Sequence, residues 1–323
     1  MTRWALKNSW PEKESALFLK VISGKNAAFS TVRGVTERRR LMEMEAVVFK
    51  DDEGNYLEAY IDLVNKRLKV LNHQIQDWPK AVSWLDRAAG QHQLGKILFN
   101  IKSPENYVLE NSGYVLEGVI PAFFKGTDAL CYSRYTDFER SKSQYYEQEE
   151  EILMQIKNAQ HRSETTKKLP AGLKIDRINN EQAGDLVNLY RRIFSTYPSP
   201  LLNPDYVHKV METHISFWGM FEGDQLISAA SAEMNLSNCN AEITDCATLP
   251  EYRGQGLLRH LIMVLEEEMQ TKEISALYSL ARAGSYGMNA ALDRLGYEYQ
   301  GRFINNCHIG GRFEDMNLWT KVV

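Results

Sequence analysis

The chain has 323 residues, 44% apolar and 25% charged, which is enough for two ordinary domains with separate cores and gives no reason to invoke chain-wide disorder. A formal charge of −4 supplies no broad basic field, so nucleic acid is a poor partner and a small molecule the better one. Four cysteines without paired two-residue spacing and seven scattered histidines indicate neither a metal site nor a disulfide framework. Charges interrupt the N-terminus before any signal-length apolar run and no stretch reaches membrane-spanning length, so a cytoplasmic protein with no membrane partner is expected.

In chain order, residues 46–72 read as strands, with Asp51 to Asn55 as the turn of a hairpin and a further strand over Arg67 to Leu71. The Arg38, Arg39, Arg40 triplet beside Glu37 reads as a solvated face. Ala81, Val82, Leu85 and Ala88 give a helical face, KILFNI (96–101) a buried strand, and SPENYVLENSG a Ser-initiated helix with Pro104 at its first position. Another strand begins at Tyr114. Residues 136–168 are almost all charged or polar, with a thin strip at Tyr145, Ile152, Leu153 and Ile156. They read as a solvated connecting helix, broken by Pro170 and Gly172 at a domain boundary near 171.

After the boundary come a strand (Leu173 to Ile178), a helix after Asn180, and an irregular proline-rich segment, STYPSPLLNPDYV, of the kind that shapes pocket walls. Two strands joined by a turn at Glu222 to Asp224 follow, and then the stretch on which the second half centres, Ala241 to Met269. It is an apolar strand, a turn punctuated by Pro250, Gly254 and Gly256, and an amphipathic helix from Leu257. A helix opening in a glycine turn aims unpaired N–H groups and its positive dipole end at one spot, suited to phosphate. A strand (Ser275 to Leu280), the segment ARAGSYGMNAALDRLGYEYQG and a last pair of strands complete the chain.

This order, with Glu251-Tyr252-Arg253-Gly254-Gln255-Gly256 followed by Leu257-Leu258 and with LDRLGY downstream, resembles the GNAT superfamily of acyl-CoA-dependent N-acyltransferases over about residues 171–323. The resemblance implies a mixed α/β (α+β) fold, a central sheet flanked by helices, with acetyl-CoA as co-substrate and no metal. Glu251 departs from the Gln or Arg usual at the first motif position. Gly113-Tyr-Val-Leu-Glu-Gly118 aligns with Gly296-Tyr-Glu-Tyr-Gln-Gly301 at an offset of 296 − 113 = 183, so the first half reads as a second copy of the fold. Its counterpart of the glycine turn, LNHQIQDWPK, has no glycine. The expected organisation is therefore a degenerate N-terminal domain (1–136), a charged linker (137–170) and a catalytic domain (171–323).

SYGMN, Asn305-Asn306 and Met316-Asn317-Leu318-Trp319 look most like the β-lysine N-acetyltransferases, which implies acetylation of the N6 amine of β-lysine to give a compatible solute. Another amine (a polyamine, an aminoglycoside or a protein lysine) is the alternative acceptor, and a non-catalytic acyl-CoA sensor the alternative class. A homodimer is an assembly to test for.

A lysine-like ammonium has a reference pKa near 10.4, so deprotonation at pH 7 costs about 4.6 kcal/mol and a base is needed. Glu242 resembles the general-base glutamate of histone-acetylating members, with Asp245 the second choice as base or as partner of a substrate ammonium. Three residues apart, the two project to opposite faces of a regular strand unless a bulge intervenes. The resemblance places the coenzyme along Ala247, Thr248, Leu249, Arg253, Gly254, Gln255, Gly256, Leu257 and Leu258, with Asn289 on the pantetheine arm. A backbone N–H near Cys246 or Ala247 would hold the oxyanion. Cys246 as a covalent nucleophile is the lesser alternative to direct attack. The tyrosine that usually protonates the departing thiolate falls on Leu292, leaving Tyr286 as the nearest substitute. Arg282 is a candidate clamp for a substrate carboxylate.

Overall fold

The computed structural model describes residues 20–23 (backbone only), 45–103, 106–159 and 168–323; the Arg38–Arg40 triplet and residues 160–167 of the charged stretch lie outside the described residues. The first half contains β1 (Lys20–Ser23), β2 (Glu45–Lys50), β3 (Tyr56–Asp62), β4 (Arg67–Gln74), α1 (Trp78–Gln91), β5 (Lys96–Ile101), α2 (Asn106–Asn111), β6 (Val115–Phe124) and β7 (Thr127–Tyr135). Next comes α3 (Tyr146–Asn158). The second half contains β8 (Leu173–Arg177), α4 (Ala183–Ile193), α5 (Pro204–Met211), β9 (Ile215–Glu222), β10 (Gln225–Asn235), β11 (Asn240–Thr248), α6 (Leu257–Thr271), β12 (Ala276–Arg282), α7 (Tyr286–Arg294), β13 (Glu298–Ile309) and β14 (Arg312–Val322).

Two elements differ from the sequence reading. The proline-rich segment contains α5: Asn203 caps it by accepting the Asp205 N–H at 3.0 Å, and Pro204 starts it, where the missing N–H costs nothing. The stretch after β6 forms β7, which inserts between β5 and β6. The charged connector is helical as expected over α3, and it buries Leu153 and Ile156.

All fourteen described strands form one mixed sheet in the order β1-β2-β3-β4-β5-β7-β6-β13-β14-β12-β11-β10-β9-β8. Read inward from its two edges, the sheet gives one strand order twice. The halves meet where Gly118 of β6 pairs antiparallel with Gly301 of β13, and 301 − 118 = 183 is the offset of the sequence repeat. A Cβ on Gly301 would lie 2.0 Å from the Glu117 carbonyl oxygen, so only glycine permits this backbone contact. Further ties cross the seam: the buried Lys96 ammonium, paired with Glu117 in its own half at 2.8 Å, donates to the Ile304 carbonyl at 2.8 Å, and Arg140 donates to the Asn305 carbonyl at 2.8 Å.

Strand alternation sorts the first half into two faces. Leu68, Val70, Ile97, Phe99 and Ile101 pack with α1 into one core. Leu98, Ile120 and Cys131 face the other way and join the larger core of the second half. That second face of β3, β4 and β5 therefore looks toward the second half of the molecule, and the candidate site opens there.

Candidate functional site

The glycine turn is built as its sequence demands. Pro250–Tyr252 form a short 3-10 turn, Gly254 and Gly256 adopt φ of +77° and +75°, and Gly256 is the N-cap of α6 with no side chain capping it. Gly256 has no side chain to cap the helix and the Arg259 N–H already donates to the Gly256 carbonyl at 3.2 Å, so Leu257 and Leu258 carry the leading N–H groups that such a turn offers to a phosphate. Leu257, Leu261, Ile262, Leu265 and Met269 bury the other face of the helix. The Arg253 side chain donates to the Thr248 carbonyl at 3.1 Å, tying the turn to β11. Glu251 forms an exposed ion pair with Arg192 at 3.2 Å, away from the helix N-terminus, so its departure from the motif leaves the cradle intact. Leu249 and Leu257 are core side chains, at 1% and 2% exposure, and only their backbones can face a coenzyme. The Ala247 side chain is likewise buried, and Thr248 hydrogen-bonds Ser228 at 2.7 Å.

The turn that precedes α1 in the first half carries a negative charge. Helix α1 is capped by Asp77, whose carboxylate accepts the Lys80 N–H at 3.0 Å, and Pro79 deletes another donor from the first turn. A fixed anion occupies the position a phosphate would need.

Strands β11 and β12 pair in parallel only through Asn240, Ala241 and Glu242, opposite Ala276, Leu277 and Tyr278, and then diverge. On its other edge β11 bulges. Ala229 pairs with Ala247 and Ser231 with Thr244, so Asp245 and Cys246 together oppose Ala230, and Asp245 takes φ +52°. The bulge cancels the alternation that would have separated the two carboxylates: Glu242 and Asp245 line the same cavity, of about 440 Å3. Glu233, directly opposite Glu242 on β10, is a third carboxylate in its wall. Like charges placed so disfavour each other.

Burial, with Glu233 adding to it, pushes Glu242 up to about 7. Asp245 is also pushed up by burial, to about 6, against hydrogen bonds from Ser231 (2.6 Å) and Tyr197 (3.0 Å) that favour its charged form. Tyr278 hydrogen-bonds Glu242. Burial holds the Cys246 thiol well above its ordinary range, and the thiol donates to the Thr244 carbonyl, so it is not a ready thiolate.

The remaining expected residues fall in different places. Arg282 lines the cavity. Tyr286, at the start of α7, is 43% exposed and is not part of the cavity lining. Asn289, expected on the pantetheine arm, is fully buried: its amide donates to the carbonyls of Arg282 (2.9 Å) and Ser285 (2.8 Å), and its oxygen accepts from Asn317 (2.9 Å) and Trp319 (2.7 Å). With both donors and both lone pairs engaged, it locks α7 onto β12 and β14 and has nothing left for a pantetheine arm.

Sequence reasoning missed Glu233, Ser231 and Tyr278, and it missed the whole first-half wall, where Tyr60, Arg67, Lys69 and Asn100 face the cavity. Glu233 could have been found by counting outward from the Asn235 to Asn240 hairpin, which puts it opposite Glu242. The proline-rich segment does line the cavity, through Tyr197, Pro198, Ser199 and Leu201.

The family profile described as Acetyltransferase (GNAT) family matches residues 183–297. Over 260 residues the chain is 37% identical to N-acetyltransferase YodP of Bacillus subtilis (strain 168), covering 80% of this chain and 94% of that protein. It is 34% identical over 258 residues to a beta-lysine N(6)-acetyltransferase of Methanosarcina mazei, covering 74% and 95%, and 30% identical over 247 residues to one of Methanococcus maripaludis, covering 76% and 89%. Matches of this length extend beyond the second half into the first. The chain belongs to the GNAT family of acyl-CoA-dependent N-acetyltransferases.

Proposed function

We propose that the enzyme transfers acetyl from acetyl-CoA to the N6 amine of β-lysine, by direct attack in a ternary complex. The observation that carries this reading is the cavity between the halves, which has a wall of three carboxylates, Glu233, Glu242 and Asp245, the last two on the strand that leads into the uncapped glycine turn. Acidic walls attract a cationic acceptor. The identity to two beta-lysine N(6)-acetyltransferases supports the choice among amines.

In this reading the coenzyme phosphates lie at the backbone of Gly254 to Leu258, and the thioester enters where β11 and β12 part, against β11 N–H groups that β12 does not engage. A backbone N–H near Cys246 or Ala247 then faces the developing oxyanion. Glu242 takes a proton from the acceptor ammonium and so frees the attacking amine, which sheds its second proton to solvent as the thiolate leaves, and Asp245, fixed by Tyr197 and Ser231, holds the acceptor in place. Glu242 is a far better match to this proton than a solvated carboxylate because its pKa is about 7. The thiolate leaving group, with a pKa near 8.5, departs at neutral pH without an acid, so Tyr286 is assigned no role. Cys246, protonated and tied to Thr244, does not compete as a nucleophile. Besides Arg67, which is paired with Asp62, Arg282 on β12 and Lys69 on β4 face the cavity from different sides, and either can meet an acceptor carboxylate. The first half is a degenerate copy of the fold whose own coenzyme cradle is closed by Asp77, which leaves one active site per chain.

A thiol-release assay with acetyl-CoA and a panel of β-lysine, spermidine, an aminoglycoside and a lysine peptide tests this. β-Lysine is expected to give the highest kcat/KM. A clear preference for any other member removes β-lysine as the acceptor, and silence across the panel removes the catalytic reading altogether.

A further inference from the structure

The first half of the chain contributes a polar wall to a cavity whose chemistry belongs to the second half. Along β4, Leu68 and Val70 enter the first-half core, so Arg67, Lys69 and Leu71 project from the opposite face, into the cavity. Tyr60 of β3 stands directly beside Lys69 in the sheet, and Leu98 of β5 flanks it on the other side.

The two cations on this strand differ. The Arg67 guanidinium is fixed in place, bound to Asp62 at 2.9 Å and to the Asn306 carbonyl at 3.1 Å, and the Asp62 charge offsets its own. Lys69 is exposed and has neither a hydrogen bond nor an ion pair among the described residues. It still acts across the cavity, and its charge is the strongest influence holding the Glu242 pKa down. The cavity is therefore polarised, with three carboxylates on the second-half wall and an uncommitted ammonium on the first-half wall. A pocket of this kind selects an acceptor that is itself dipolar.

Orientation separates Lys69 from Arg282. Arg282 ends β12 on the side of the cavity shared with Ser285 and Met288, beyond the point where β11 and β12 part. An amine attacking a thioester at that parting has its tail directed away from the coenzyme, toward the first half. We infer that Lys69 of the first half binds the carboxylate of the amino-acid acceptor, so that the half without a coenzyme cradle sets the enzyme's preference for amines that carry a carboxylate. This inference rests on the transferase reading above. The contact is a charge-assisted hydrogen bond made without any chemical step.

The test uses the full-length enzyme, acetyl-CoA and three pairs of acceptors that differ only by the carboxylate: β-lysine and pentane-1,4-diamine, lysine and pentane-1,5-diamine, ornithine and butane-1,4-diamine. Wild type is expected to favour the acid in the pairs it acetylates. Assayed well above the pH at which Glu242 titrates, so that losing the Lys69 charge leaves the base unprotonated, Lys69→Ala should lower kcat/KM for the acid by about 10- to 100-fold, the usual worth of a hydrogen bond to a charged group, mainly through KM, with the diamine nearly unchanged. Lys69→Arg should restore part of the preference, and Arg282→Ala should leave the ratio of acid to diamine in place. An equal loss on both members of each pair would make Lys69 a structural or electrostatic residue and overturn the inference. So would a wild-type preference for diamines, or a collapse of the ratio in Arg282→Ala alone. Those results leave the transferase intact, whereas no CoA release from any of the six amines brings down both.

Discussion

Glu242→Gln tests the chemistry most closely. The amide keeps the size of the side chain and a partner for Tyr278, and it removes only the proton acceptor. Moving a proton from an ammonium of pKa near 10.4 to a carboxylate at about 7 costs about 5 kcal/mol, against about 8 kcal/mol for a carboxylate at the ordinary value of 4.5. Burial of Glu242 beside Glu233 therefore lowers the cost of transfer by about 3 kcal/mol, which falls within the 10²- to 10⁴-fold range of general bases. The variant should lose about 10²- to 10³-fold in kcat while its KM for acetyl-CoA changes little. The pH profile gives a second signature. A base must be unprotonated, so wild-type kcat/KM for the acceptor should rise with pH up to a bend near 7 and then level, and Glu242→Gln should lose that limb. Steady-state thiol release from pH 5.5 to 9 reads both. Wild-type turnover with the limb intact would contradict the reasoning, and if Asp245→Asn then abolished activity, the base would be Asp245.

Three further outcomes follow from the geometry. Gly256→Ala places a Cβ on a residue at φ +75°, at a cost of about 1–2 kcal/mol of strain in the turn, and should raise the KM for acetyl-CoA about tenfold; an unchanged KM would show that the coenzyme does not depend on this turn. Asn289→Ala leaves the buried Trp319 indole N–H and the Asn317 amide without their acceptor and should cost about 2–4 kcal/mol, read as a lower denaturation midpoint, whereas a raised KM for acetyl-CoA at normal stability would return Asn289 to the coenzyme site. Glu242 is protonated more readily in the folded than in the unfolded chain, so its contribution to stability is fully present below about pH 4.5 and is lost as pH rises through about 7. Glu242→Gln should therefore gain stability relative to wild type as pH rises from 5 to 8, on the order of 1–3 kcal/mol at the top, and a difference independent of pH would mean that Glu242 is not destabilised by burial.

How much of this was legible in the sequence depended on how local each signal was. The strand KILFNI coincides with β5, the Asp51 to Asn55 turn separates β2 from β3, and the glycine turn and α6 lie where their punctuation and periodicity put them. Helix α5 was missed because three prolines in the segment outweighed a sound start signal, Asn203 followed by Pro204. The site itself was only half legible. Strict alternation placed Glu242 and Asp245 on opposite faces, and the β11 bulge that reunites them leaves no mark in a single sequence beyond an aspartate tolerant of positive φ. Asn289 resembled a coenzyme ligand because its hydrogen-bond partners, Asn317 and Trp319, lie about thirty residues downstream and become neighbours only when β14 pairs with β12. Lys69 could not be assigned at all. Its relation to the acidic wall arises from the junction at Gly118 and Gly301, which brings the faces of two similar half-sheets to one cavity.

The central claim, acetyl transfer to the terminal amine of a diamino acid in a cavity made by both halves, is tested most directly by identifying the product. Enzyme, β-lysine and acetyl-CoA carrying a ¹³C label in the acetyl group are followed by NMR alongside thiol release. The expected result is a single labelled amide on N6, formed in step with free CoA. Label on the 3-amine, or free CoA without any labelled amide of β-lysine, would contradict it.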